Sequence, residues 1–315
     1  MRRLPKAPGS LTHRIAVGLL ATALLLGLAP KPSAPHPLER TPASVVQVVL
    51  EHRTAPLAER IDAISAIWLG LPYQLGPLGE GLGAENDSDP LTRYDVFDCL
   101  TYVEEVLALA LSPDPKRAHD LRMGMRYTQT PATYENRRHF MLAEWVPGTQ
   151  QDGWMRDITA ELPGAEPRSK TVTLQTWAGW KMRKAFPLSD ARLPVGTMDF
   201  HILPLSVSSE TLKAIPDGAV IFTVRALWDH LPIAISHVGI KVPGDRPTMR
   251  HASRMGQRVV RDDDLNWYVR HLATYKKWPA EGLIVLMPVE FGPTPGHLAS
   301  LRAAQAAQGL GEQRQ

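Results

Sequence analysis

The chain holds a single cysteine, Cys99, in 315 residues. One thiol excludes an internal disulfide framework and any cysteine-rich zinc or iron–sulfur centre. The 11 histidines are scattered and form no H-E-x-x-H pattern, which argues against a zinc-dependent mechanism. No G-x-S-x-G elbow is present, so a serine hydrolase is disfavoured. The glycine-rich stretch GPLGEGLG at 76–83 lacks the Gly-Lys-Ser/Thr ending of a phosphate loop. Neither a metal nor any other cofactor is expected.

Acidic residues are missing from one segment. Residues 1–36 carry Arg2, Arg3, Lys6, Arg14 and Lys31 and no Asp or Glu. The formal charge of +3 therefore belongs to this leader. The remaining chain has 30 Lys and Arg against 32 Asp and Glu, a net charge of −2. No basic stripe is left to bind nucleic acid. The apolar run Ile15–Ala29 is 15 residues long, shorter than the roughly 20 that a spanning helix needs. A basic flank before such a run predicts an export signal, and hence a periplasmic or cell-envelope location. Ala29 and Ala34 each precede proline, a poor cleavage context, so an uncleaved membrane anchor is the alternative. Apart from that segment no membrane contact is expected.

What is present reads as an α+β domain. Prolines crowd positions 30–42 and suggest a stiff linker. The organisation assigned is 1–36 export signal or anchor, 37–55 linker, 56–292 main folded domain and 293–315 flexible tail. Helical spacing covers 43–70, and a Gly/Asp/Pro loop covers 74–95. Asp98–Leu111 then predicts one amphipathic helix, ended by Pro113 and Pro115. Residues 120–205 are rich in aromatics, which either wall a cleft or fill core. Strands are predicted at 219–224, 233–242 and 283–289, with a short helix at 265–272. Helices followed by strands suggest a mostly antiparallel sheet.

Cys99 lies at the predicted start of the 98–111 helix, with Asp95 or Asp98 as N-cap. There the helix dipole is expected to lower its pKa, and unpaired N–H groups are available to an oxyanion. The alternative is a small buried hydrophobe. A thiol nucleophile needs a base. His237, in AISHVGI, and His251, in TMRHAS, flank the turn PGDRP. A hairpin centred at Gly244 sets the two rings opposite each other. That suggests Cys99 as nucleophile, His237 as base and His251 as the residue that orients it.

The strings LPYQLG (71–76), DCLTYVE (98–104), SHVGI (236–240) and HAS (251–253) resemble the NlpC-type cell-wall cysteine peptidases, which are papain-like. YQLGPLGEG, FDCLTYVEE and NRRHFM resemble one branch in particular. It was first catalogued as a domain of unknown function and is described as N-acetylmuramoyl-L-alanine amidase-like. The resemblance covers about residues 70–290. It implies a papain-like core with inserted helices, peptidoglycan fragments (muropeptides) as substrate and cleavage between muramic acid and L-Ala. It also implies that Tyr73 faces the substrate carbonyl or oxyanion and that Asp98 supports the site. Asn136, Arg137 and Glu80 are candidates for substrate contact, since a muropeptide carries carboxylates, amines and hydroxyls. Two other readings stay open: an endopeptidase cutting after D-Glu, and a catalytically idle peptidoglycan-binding module. One departure is Gly218-Ala219, where the family usually has Gly-Asp.

Overall fold

Pro56 divides the helical region at 43–70, because it cannot donate a hydrogen bond back to the preceding turn. Helix α1 spans Ala43–His52 and α2 spans Leu57–Ala66, with Pro56 as the α2 N-cap. Val45 and Val49 of α1 are buried in the main core. The part of the assigned linker at 43–55 is therefore folded structure. The computed structural model describes residues 41–112 and 114–290. The expected leader at 1–36 and tail at 293–315 lie outside the described residues. No helix of the described residues is long and apolar enough to cross a membrane.

Helix α3, Cys99–Leu111, is buried at every position except Leu100. It is thus a central helix rather than the one-faced amphipathic helix expected. Two acidic residues are carried inside with it. Glu104 pairs with Arg126 at 2.7 Å and Glu105 with Arg122 at 2.5 Å. Both arginines come from α4, Pro115–Arg126. Buried charges require such partners, and removing one partner is far costlier than the pair is stabilising. The two ion pairs therefore fix how α3 sits on α4.

The remaining elements are α5 (Val146–Gln151), β1 (Met155–Asp157), β2 (Glu166–Val172), α6 (Leu174–Gly179), β3 (Gly196–Pro204) and α7 (Ser209–Ala214). They are followed by β4 (Val220–Arg225), β5 (Ile235–Val242), β6 (Thr248–Ala252), β7 (Val260–Asp264), α8 (Leu265–Leu272) and β8 (Ala280–Pro288). The strands form one sheet in the order β2-β3-β8-β4-β5-β6-β7, with β1 also on β8. Every pairing is antiparallel.

Side chains alternate across this sheet as its pleat requires. Val220, Phe222, Ile284 and Leu286 join the core beneath α1–α4. Ile221, Leu283 and Val285 join a second core with Leu212 of α7 and Leu265, Tyr268 and Val269 of α8. The central strands are thus covered on both faces, which explains their nearly unbroken apolar sequences. Ala219 is fully buried in this second core, and the carboxylate of that corner is Asp217, paired with Lys241 at 2.6 Å. The antiparallel β2–β3 pair extends the sheet, and beside it a small hydrophobic cluster gathers Phe140, Val172, Trp177, Leu188 and Leu193. The aromatic middle section is therefore an extension of the same sheet. Most of its rings fill core, including Trp145, Trp154 and Trp177.

Candidate active site

A cavity of about 740 Å³ opens where the start of α3 meets β4, β5 and the end of β6. Cys99, His237, Tyr73 and Asp98 all line it. Its volume suits a ligand of several residues or sugars.

The local sequence explains how Cys99 is held. Asp98 caps α3, accepting from Leu100 N–H at 3.1 Å and Thr101 N–H at 2.8 Å. Thr101 Oγ1 returns the contact by accepting from Asp98 N–H at 3.0 Å, completing a capping box. The second Asp98 oxygen accepts from Gly76 N–H at 3.1 Å. One carboxylate therefore ties the Tyr73–Gly76 loop to the start of the cysteine helix. Tyr73 is fixed further by its N–H donating to Arg258 O at 2.8 Å. Asp98 accepts from the N–H groups of Leu100 and Thr101, so Cys99 N–H is the donor of these three that Asp98 does not take. This narrows the expected set of donors.

Burial pushes the Cys99 thiol up to about 12, and the neighbouring Asp98 carboxylate adds to the effect. The expected lowering by the helix dipole is therefore outweighed. The N–H groups of Val238, Leu100 and Cys99 itself act on the sulfur in the opposite sense. Val238 directly follows His237, so the sulfur sits against the β5 backbone that carries His237. His237 is also held well below its ordinary pKa, first by burial, then by His251, Arg225 and Arg261. The resting pair is accordingly a neutral thiol beside a neutral imidazole. Tyr73 is likewise raised, by burial and then by Cys99 and Asp98, so its hydroxyl remains a donor.

The turn between β5 and β6 is centred one residue later than expected. Ile240 pairs with Arg250 and Val242 with Thr248, which places the centre at Asp245. The two histidines are therefore diagonal rather than directly opposite. They still share a face, because the change moves the pairing by two positions. His237 Nε2 lies 2.6 Å from His251 Nδ1. Gly239 makes room for this. A Cβ there would meet His251 Cβ at 2.9 Å and Met249 Cγ at 2.8 Å. The glycine of SHVGI is thus a space requirement of the second histidine.

Asp263 on β7 completes the row and was not a sequence candidate. His251 Nε2 lies 3.0 Å from Asp263 Oδ2, and Arg261 donates to the same oxygen at 2.8 Å. Burial opposes ionisation of Asp263, but His251 and Arg261 outweigh it and hold the carboxyl below its usual range. An ionised carboxylate only accepts, so His251 carries its proton on Nε2. His237 Nε2 and His251 Nδ1 then share the next hydrogen bond of the row. That leaves His237 Nδ1 as the ring nitrogen outside the row. Tyr268 of α8 packs against both rings, with its hydroxyl 2.8 Å from Thr223 Oγ1. The sequence held one signal for Asp263. It lies on the strand paired with the HAS segment, but its register requires knowing that β6 and β7 are adjacent.

The other expected contacts are corrected. Glu80 and Asn136 do not line the cavity. Glu80 accepts from Arg137 Nε at 2.7 Å and ties the glycine loop to the 134–138 segment. Asn136 bonds Gln129 and Pro131 O within its own turn. Arg137 does line the cavity, but its charge is already matched by Glu80 and Asp87. Among the described residues no three His, Cys, Asp or Glu side chains form a metal-binding group.

The sequence profile of the N-acetylmuramoyl-L-alanine amidase-like family matches residues 63–275, spanning every residue of this row. The chain belongs to that family. Membership supports a general cell-wall amidase, a hydrolase of amide bonds. The amidase-like chain is also similar in structure to a Legionella pneumophila protein, with 26% identity and a TM-score of 0.67. That match covers 78% of this chain and 93% of the other. A Bacteroides uniformis N-acetylmuramoyl-L-alanine amidase shares the fold at 23% identity and a TM-score of 0.58, covering 74% of this chain and 98% of the other. No curated protein sequence matches the chain.

Proposed function

We propose that the protein is a cysteine-dependent peptidoglycan hydrolase that cuts the amide between the lactyl group of N-acetylmuramic acid and L-Ala. The observation that carries this reading is the row His237–His251–Asp263 beside a cysteine at a capped helix start, inside a cavity of an amidase-like fold. The choice of bond rests on the family's description.

In this mechanism the substrate carbonyl enters against Cys99. His237 Nδ1 takes the thiol proton as sulfur attacks the carbonyl carbon. The oxyanion is met by Cys99 N–H and the Tyr73 hydroxyl. His237 then protonates the L-Ala nitrogen, the C–N bond breaks, and the peptide leaves with a free amine. Water attacks the thioester while His237 takes its proton. The muramoyl carboxylate departs and the thiol is restored. Because thiol and imidazole begin neutral, charge separates only as the bond forms. Asp263, acting through His251, stabilises the transient His237 cation along the row.

The basic leader supports delivery to the periplasm or cell envelope, where such a substrate is found. The reading is tested by intact-mass analysis of the enzyme during turnover of a muropeptide. A muramoyl adduct on Cys99, absent in Cys99→Ala, is the expected result. Undiminished turnover by Cys99→Ala contradicts it.

A further inference from the structure

Five arginines line the cavity, and they are not equivalent. Arg126 is matched by Glu104, Arg138 by Asp152, and Arg137 by Glu80 and Asp87. Among the described residues, Arg225 and Arg254 have no carboxylate partner. Arg254 is exposed. Arg225 is partly buried and held rigidly. Its Nε–H donates to Ser236 Oγ at 2.7 Å and Nη1–H to Trp278 O at 3.0 Å. Its guanidinium lies 4.5 Å from the Tyr275 ring centre and 5.9 Å from that of Trp278. Tyr275, Trp278 and Ser236 all line the same cavity.

The position matters as much as the framing. Arg225 ends β4, and its partner Ser236 immediately precedes His237 on β5. A guanidinium has five N–H donors, and two are used here. The rest remain for a planar anion, which arginine binds as a fork. Aromatic faces that exclude water strengthen such a contact. The cleft thus holds one prearranged, uncompensated cation next to the base.

We propose that Arg225 is the carboxylate-binding residue of the cleft, and that its ligand is the free α-carboxylate of the D-glutamyl residue in a stem peptide. This rests on the peptidoglycan reading above. In an L-Ala–γ-D-Glu chain the linkage runs through the side-chain carbonyl, so the α-carboxylate stays free. It is the first carboxylate beyond the muramoyl–L-Ala bond. Arg225 therefore takes over the recognition that the sequence had suggested for Arg137.

The test uses two muropeptides that differ only at this group, one with the α-carboxylate and one with its amide. The wild type is expected to prefer the acid by about 10- to 100-fold in kcat/KM, the range of a charged hydrogen-bonded pair. Arg225→Gln is expected to lose that factor on the acid and little on the amide, so the preference disappears. Arg225→Lys, which keeps the charge and loses the fork, is expected to retain a reduced preference and serves if Arg225→Gln does not fold. Equal loss on both substrates means that Arg225 is structural and overturns the inference. Wild-type turnover without preference overturns it alone. Failure of the wild type to cut either substrate overturns the hydrolase reading as well.

Discussion

Asp263→Asn isolates the part of the site that is least obvious from the sequence. The substitution keeps the shape of the side chain and removes its charge. Asp263 reaches His237 only through His251, over contacts of 3.0 and 2.6 Å. Adding the width of one imidazole, the carboxylate lies about 8 Å from the charge that forms on His237. At an effective dielectric of about 20 that separation corresponds to about 2 kcal/mol. Arg261 opposes part of this, leaving roughly 1–2 kcal/mol, or about 5- to 30-fold in rate. The prediction is a fall in kcat of that size with KM little changed. The pH profile gives a second readout. Removing a negative charge makes His237 harder to protonate, so the acid limb of kcat/KM moves to lower pH, by about one unit. A merely structural role would lower activity without moving the limb. A folded Asp263→Asn enzyme with kcat within twofold of wild type and an unmoved acid limb would refute the argument.

Three further outcomes are expected. Alkylation of Cys99 should accelerate steadily as pH rises toward the raised pKa of about 12, and a plateau between about pH 5 and 8 would instead indicate a resting thiolate–imidazolium pair. Gly239→Ala should force His251 aside. It is expected to cost about 1–3 kcal/mol by denaturant unfolding and to lower kcat by up to about 100-fold, and a neutral effect on both would contradict the close approach. Asp98→Ala removes a helix cap and the tie to Gly76. It should cost about 2 kcal/mol and lower Tm by roughly 4–8 °C in a thermal scan.

The parts of the molecule that were legible in the sequence are those governed by local chemistry. The start of α3 could be read from Asp98, Cys99 and the apolar run that follows, because a cap acts within three residues. The central strands could be read because burial on both faces leaves unbroken apolar runs. The pairing of His237 with His251 was anticipated because a short hairpin constrains it, although the turn centre is one residue away. What escaped detection depends on distant partners. β2 is largely exposed and mostly polar, so its residues do not mark it as a strand, whereas β3 alternates apolar Met198, Phe200 and Ile202 with polar Thr197, Asp199 and His201, a signal that went unread amid the aromatic middle section. The burial of α3 on nearly all sides reflects arginines on α4 that neutralise Glu104 and Glu105. Asp263 requires the β6–β7 register. The roles of Arg137 and Arg225 are decided by which arginine already has a carboxylate, and the sequence does not disclose that.

Cys99 and its row of histidines are proposed to cut the bond between muramic acid and L-Ala. Mass spectrometry of the products from one defined muropeptide tests it most directly. The expected products are free N-acetylmuramic acid and a peptide whose amino terminus is L-Ala. Release of sugar-linked L-Ala-D-Glu and a separate diamino acid peptide would contradict it.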